Sequence, residues 1–182
     1  SSFALSLLIG SAVAAATFLL PTYNGLVERD EELQKQWSNI DALLQQRYAL
    51  IPSLTAAVRA ATDQEDDVLI NVANAHAGYL AATDRTQKIE ASYQAEQQLR
   101  RMSGFFARYP QLRSMENIDR LMKELAAMEE KLASQRMTYN EAVKSLNTLR
   151  RSAQGAVVAK VAGFDKGIYY QPPADSRANP GV

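Results

Sequence analysis

The sequence predicts an all-α protein, with a transmembrane helix at its N-terminus followed by long helices that pack together as a bundle. Three observations support this fold class. Residues 3–20 carry no charged side chain, and apolar residues recur at helical spacing from Leu26 onward. Residues 118–149 carry an apolar seam with a period near 3.5 residues, which is typical of helices that pack along their length.

The composition excludes several classes of site. The chain has 182 residues, with 20 Lys and Arg against 20 Asp and Glu, one His and no Cys. Without cysteine there is no disulfide framework, thiolate metal site or cysteine nucleophile, and one histidine cannot form a multi-histidine metal site. A zero net charge disfavours nucleic-acid binding, which needs clustered Lys and Arg. We therefore expect no cofactor, no catalytic residues and no nucleic-acid partner.

The stretch Phe3–Leu20 is the predicted membrane anchor. Its only polar side chains are Ser6, Ser11 and Thr17, whose hydroxyls can bond to carbonyls of their own helix. Eighteen helical residues span about 27 Å, which is close to the hydrocarbon thickness of a bilayer. A buried core helix and a signal peptide cleaved near Ala14–Ala16 are the alternatives. The lack of any polar face favours a single-pass anchor.

Small residues on the anchor predict self-association in the membrane. Gly10 and Ala14 are four residues apart, so they lie on one face of a helix, and such pairs let two helix backbones approach closely in lipid. The sequence after the anchor is acidic over residues 28–32, which favours a body on the extracytoplasmic side. The expected partners are thus the membrane, further copies of the chain and a membrane protein.

The first helix of the body is expected to begin after a turn. Pro21 is predicted to end the anchor, and Tyr23–Gly25 to form a short juxtamembrane turn. Apolar residues then follow at steps of three and four from Leu33 to Ala61, where the helix is expected to end.

Two further helices are predicted in the middle of the chain. A capping box at Thr62–Glu65 starts one of them, with an apolar stripe from Val68 to Leu80. Thr83–Thr86 is read as a break or a surface bump, and Tyr109–Pro110 ends the segment because the residue before proline is disfavoured in a helix.

The last long helix has the clearest pattern. Nine of the ten seam positions are apolar: Ile118, Leu121, Leu125, Met128, Leu132, Tyr139, Ala142, Leu146 and Leu149, with Gln135 as the exception. The helical signal is expected to fade after Gly155, and residues 171–182 read as a flexible tail. The predicted domains are an anchor over residues 1–21, a helical body over residues 22–170 and the tail.

Aromatic and arginine side chains are the candidate partner or oligomer interface, because Trp, Tyr and Arg often anchor interfaces. Besides Gly10 and Ala14, the candidates are Trp37, Arg47, Tyr48, Phe105, Phe106, Tyr169 and Tyr170. The alternative is that Trp37 packs in the core and Arg47 pairs with a carboxylate across the bundle. The aromatic pairs are open to the same two interpretations.

Two other features have simpler explanations than metal binding. His76 lies on an apolar stripe without a second histidine, so a core or boundary histidine is expected rather than a ligand. The acidic group Asp63, Glu65, Asp66 and Asp67 offers oxygen ligands for a cation. Acidic residues are also favoured in the first turn of a helix, and that interpretation is preferred.

Several stretches, taken in order, resemble the LemA family. They include Tyr23–Val27, Gln36–Asp41, Gln46–Leu54, Tyr109–Arg113, Arg136–Val143 and Ala162–Phe164. The resemblance implies a single-pass bacterial membrane protein whose body is an antiparallel, mostly four-helix bundle. The expected location is the bacterial inner membrane.

Two functions from different classes are compatible with these features. The first is a membrane-anchored scaffolding protein that self-assembles into an oligomer and organises or shapes the membrane. The alternative is an accessory subunit that binds and regulates a membrane protein such as a protease. An enzyme is not expected.

Overall fold

A computed structural model describes residues 2–62 and 67–172, and these residues form helices without any strand. The helices are α1 (Ser2–Ala61), α2 (Asp67–Ala81), α3 (Arg85–Arg108), α4 (Pro110–Arg113), α5 (Glu116–Arg151) and α6 (Ala153–Ala162). The predicted all-α fold, with an apolar N-terminal helix followed by further helices, is confirmed. The predicted capping box at Thr62–Glu65 and most of the tail lie outside the described residues.

α1 is one helix of 60 residues, so the turn predicted at Tyr23–Gly25 is wrong. Tertiary contacts explain why the helix continues through Asn24 and Gly25, which have low helix propensity. Leu26 is fully buried, and a Cβ at Gly25 would lie 3.2 Å from Leu149. The helix also continues through Pro21, and it ends at Ala61 as predicted.

The breaks that separate the middle helices follow local signals. Asp84 caps α3, because its carboxylate accepts a hydrogen bond from the backbone N–H of Gln87 at 2.8 Å. α3 ends at Arg108, directly before Tyr109–Pro110, and Pro110 then starts the short helix α4. One position of the α2 stripe is wrong, since Leu80 is exposed whereas Leu69, Val72 and Tyr79 are buried.

The seam of α5 is confirmed. Seven of its positions are buried and the other three are half-buried: Met128, Gln135 and Leu149. This is the expected outcome of a period near 3.5 residues, which keeps one stripe of the helix against its neighbours over its whole length.

The expectation that helical structure fades after Gly155 is wrong, because α6 runs to Ala162. Ser152 separates α5 from α6 and caps the new helix, accepting from the N–H of Gly155 at 3.0 Å. The helix ends at Gly163, whose φ of 79° lies in the left-handed region that glycine adopts at low cost.

The chain forms two compact units, and α1 and α5 contribute to both. The first unit contains residues 2–38 and 137–169, with the start of α1, the end of α5 and α6. The second contains residues 39–62, 67–136 and 170–172, with the end of α1, helices α2 to α4 and the start of α5.

Candidate functional site

The apolar part of α1 is the first candidate site, because its own chain leaves it uncovered. An 18-residue window there has a mean hydropathy of 2.2, and none of it is buried. The hydroxyls of Ser6, Ser11 and Thr17 donate to carbonyls three or four residues earlier in the helix. The helix is long and apolar enough to cross a bilayer, and it is therefore a candidate membrane anchor.

Gly10 and Ala14 both lie on the exposed surface of this helix. Within the described part of the chain, a Cβ added at Gly10 would meet no atom within 4 Å apart from its own stretch of helix. The helix face that carries Gly10 and Ala14 therefore leaves room for a second helix to approach closely.

Trp37 is half-buried in the first unit, where it packs on a residue of the α5 seam. Its ring centroid lies 5.8 Å from that of Tyr139, whose hydroxyl donates to the carbonyl of Ile168 at 2.6 Å. The adjoining Tyr169 is half-buried. Trp37 therefore has the packing role that the sequence offered as one of two interpretations.

Arg47 is the most deeply buried charged residue in the described chain, with 1% of its surface exposed. Its Nη1 donates to Glu129 at 2.9 Å, so Arg47 has the carboxylate partner that the sequence offered as one of two interpretations. Its Nε and Nη2 have no hydrogen-bond partner among the described residues. One half-exposed carboxylate thus neutralises a cation that is almost removed from water.

A second arginine, Arg136, extends this cluster. It contacts Glu96 at 3.1 Å and Glu129 at 3.6 Å, and its guanidinium lies 4.7 Å from the ring centroid of Tyr170 and 5.2 Å from that of Tyr93. Such cation–π contacts are stronger when they are partly desolvated. Burial raises the pKa of Tyr93 to about 12, so this ring remains neutral at physiological pH.

Tyr170 is buried against α3, where its hydroxyl forms a short hydrogen bond with that of Ser92. Burial raises the pKa of Tyr170 as well. Residues 170–172 are therefore held in the second unit by a buried aromatic side chain.

Tyr48 belongs to a stack of aromatic rings in the second unit. Its ring centroid lies 4.2 Å from that of Tyr79 and 5.6 Å from that of His76. His76 is half-buried at this position, as expected for a boundary histidine.

The hydroxyl of Tyr79 reaches a small ionic cluster. It donates to Asp41 at 2.6 Å, and Lys88 donates to the same oxygen at 2.9 Å. Burial by itself raises the pKa of Asp41, but the hydrogen bonds from Tyr79 and Lys88 outweigh it and hold the pKa below its ordinary value.

Phe105 and Phe106 are buried near the end of α3. Their ring centroids lie 5.5 Å apart, and that of Phe105 lies 5.0 Å from that of Tyr109. They pack within the second unit, like Arg47, Tyr48 and Tyr170. Of the interface candidates, Gly10 and Ala14 are exposed to an approaching molecule, and Trp37 and Tyr169 are half-buried.

Each unit has a depression on its surface. In the second unit a cleft of about 220 Å³ has walls of mixed charge and apolar side chains: Arg47, Glu96, Leu99, Arg100, Ser103, Met122, Leu125, Ala126 and Glu129. In the first unit a more open groove of about 370 Å³ is lined by Arg29, Glu141, Lys144, Ser145, Thr148, Leu149 and Ser152.

No group of three His, Asp or Glu side chains within the described ranges is placed to hold a metal ion. The acidic group identified in the sequence lies outside these ranges except for Asp67.

Sequence reasoning missed Arg136, Glu96 and the role of Glu129. Glu96 had a usable signal, because it lies three residues after Tyr93 and seven after Ile89, on the apolar stripe of α3. A charge on an apolar stripe indicates a buried partner. Arg136 had no such signal, since it lies one residue beyond a seam position.

Comparison with protein families shows a match to the LemA family over residues 36–182. No curated protein matches the chain. The matched region begins at Gln36 in α1 and covers all the helices that follow. The chain therefore belongs to the LemA family.

Proposed function

We propose that the protein is a membrane-anchored scaffold that self-assembles in the bacterial inner membrane, where it organises or shapes the bilayer. The observation that carries this proposal is the apolar stretch of α1, of which no part is buried by its own chain. An apolar surface of this length is costly in water and stable in lipid.

The open small-residue face supports assembly through the anchor. In lipid, helices associate by close backbone packing rather than by the hydrophobic effect, so small side chains at the contact favour association. Gly10 and Ala14 offer such a contact surface, and among the described residues no side chain lies within 4 Å of a Cβ placed at Gly10.

Charge next to the anchor supports an extracytoplasmic body. Residues 28–32 contain four acidic residues and one basic residue, whereas cytoplasmic flanks are usually rich in Lys and Arg. Labelling of a Ser145→Cys variant in intact cells with a membrane-impermeant maleimide tests this orientation. Labelling supports it, and labelling that requires broken cells contradicts it.

Crosslinking in native membranes tests assembly through the anchor. The chain has no cysteine, so single variants can be compared directly. We expect Ala14→Cys to form a covalent dimer with a short bis-maleimide, and Ala12→Cys, about half a turn away on the same helix, to form much less. Adding Gly10→Leu to Ala14→Cys should abolish the crosslink. Equal crosslinking of both single variants would contradict a specific helix contact.

The second candidate function is an accessory subunit that regulates a membrane protein such as a protease. The cleft of the second unit supports it, because the exposed Arg100 lies beside apolar side chains of the cleft and suits an acidic residue of a partner. Arg100 is exposed, so Arg100→Ala should reduce co-purification of one stoichiometric partner. The adjacent Arg101→Ala is the matched control, since Arg101 does not line the cleft. A partner retained equally by both variants would contradict this function.

A further inference from the structure

Helix α6 carries apolar residues on its buried side and also on its exposed side. Gly155, Val158 and Ala159 are buried. On the opposite side Val157 is 56% exposed and Val161 is 84% exposed. A helix at the surface of a soluble protein normally carries polar residues on its outer face, so this exposed apolar face requires another explanation.

The position of α6 within the first unit provides one. Near its start, Gln154 accepts a hydrogen bond from the hydroxyl of Thr22 at 3.0 Å. Just after its end, the ring of Phe164 lies 5.8 Å from that of Tyr23. Both ends of α6 are therefore held against the same turn of α1, directly after the apolar stretch that ends at Leu20.

Residues of α1 just before this turn are also apolar and exposed. Phe18 and Leu20 are both more than half exposed. If the anchor lies in a bilayer, these two residues are near its surface, and Val157 and Val161 are at the same end of the unit.

The charges around α6 suit a lipid surface. The only charged residue within the helix is Lys160, which is exposed, and Arg151 and Lys166 flank the helix on either side. Asp165 is the single acidic residue between Arg151 and Lys166. Basic side chains near a membrane surface attract anionic lipids, and lysine can extend its ammonium group to the headgroups while its methylenes remain among apolar groups.

We propose that α6 is a second membrane-contacting element, which lies in the headgroup region with Val157 and Val161 against the acyl chains. A short helix bound in this way fixes the membrane-proximal end of the first unit to the bilayer. This inference rests on the membrane anchor of the proposed function, and its experiment must separate the two.

Fluorescence of single-cysteine variants of the full chain provides this test. The protein is reconstituted in vesicles of phosphatidylethanolamine and phosphatidylglycerol, with or without a lipid that carries a doxyl quencher near the headgroup. An environment-sensitive dye is attached at Val161→Cys. Ser145→Cys is the control, because it is an exposed residue of the same unit on α5, and Val13→Cys reports on the anchor.

We expect the dye at residue 161 to emit at shorter wavelength than the dye at residue 145, and to lose intensity with the doxyl lipid while the control does not. If residue 13 responds to a quencher deeper in the bilayer but residue 161 remains as unquenched as residue 145, α6 does not contact lipid. A dye at residue 161 with short-wavelength emission but no quenching would show that protein covers α6, which also overturns the proposal. If residue 13 does not respond, the membrane anchor itself fails.

Discussion

Glu129 is the carboxylate partner of the buried Arg47, and replacing it should lower the stability of the second unit strongly. Arg47 is 1% exposed and its guanidinium has one carboxylate partner, Glu129, among the described residues. In Glu129→Ala, Arg47 becomes a buried cation without a partner. Breaking a buried pair in this way costs ~3–5 kcal/mol. Because Glu129 is 39% exposed and water partly compensates its loss, we expect the lower end, ~3 kcal/mol.

Hydrogen exchange measures this effect within the second unit. Since ~1.4 kcal/mol is a tenfold change in an equilibrium constant, protection of the slowest amides in α3 should fall by about a hundredfold. The matched control is Glu124→Ala in the same helix, where Glu124 pairs with Arg120 at 2.8 Å and the two side chains are 41% and 60% exposed. An exposed pair of this kind contributes ~0.3–0.5 kcal/mol, so protection should change about twofold.

The double variant Arg47→Met, Glu129→Ala separates a charge effect from a packing effect. Methionine fills much of the same space without a charge, so the double variant should be more stable than Glu129→Ala alone. If Glu129→Ala loses no more protection than Glu124→Ala, Arg47 does not depend on Glu129 and the reasoning is wrong.

Three further predictions concern other parts of the chain. Gly155→Ala places a Cβ 1.8 Å from the carbonyl oxygen of Leu149 and should destabilise the first unit by ~2 kcal/mol or more in thermal unfolding. Gly104→Ala is the control, because among the described residues no atom outside its own stretch of helix lies within 4 Å of the added Cβ; this variant should be neutral or more stable by ~0.5 kcal/mol. Tyr139→Phe removes the bond to the Ile168 carbonyl and should cost ~1 kcal/mol, measured by the fluorescence of the neighbouring Trp37 during urea unfolding; an unchanged midpoint would contradict it. The pKa of Asp41 is lower in the folded state than its unfolded value, so its stabilising contribution is complete above the ordinary value of about 3.9 and is lost as the pH falls through the folded pKa. Asp41→Asn should therefore be less stable than the wild type at neutral pH, and this gap should close on acidification; a gap that is independent of pH would refute the role of the carboxylate.

The parts of the fold that were predictable from the sequence are those that depend on periodicity over many residues. The α5 seam repeats over nearly the whole length of the helix, and the candidate anchor is uncharged throughout. Each pattern therefore fits a helix much better than any other structure. The predictions that were wrong depended on one or two residues that favour a turn or a helix end. Asn24 and Gly25 normally favour a turn, but the helix continues where Leu26 is fully buried and where a Cβ at Gly25 would lie 3.2 Å from Leu149, a residue more than a hundred positions away.

The candidate sites were less predictable for the same reason. A carboxylate partner for Arg47 was one of two interpretations of the sequence, but the choice of Glu129 depends on how α1 meets α5. The position of α6 required the structure, because the contacts of Thr22 with Gln154 and of Tyr23 with Phe164 place the helix against the turn of α1 that follows the candidate anchor. Neither contact has a signature in the sequence.

Self-assembly in the membrane is tested most directly by the mass of the full-length protein extracted with its native lipids. Polymer-bounded native membrane particles can be weighed and imaged one at a time without detergent. We predict particles with a defined mass equal to several copies of the chain, which become single copies when Gly10→Leu is introduced. Particles of one copy, alone or with one other protein, would contradict the scaffold; a second protein would favour the accessory-subunit function.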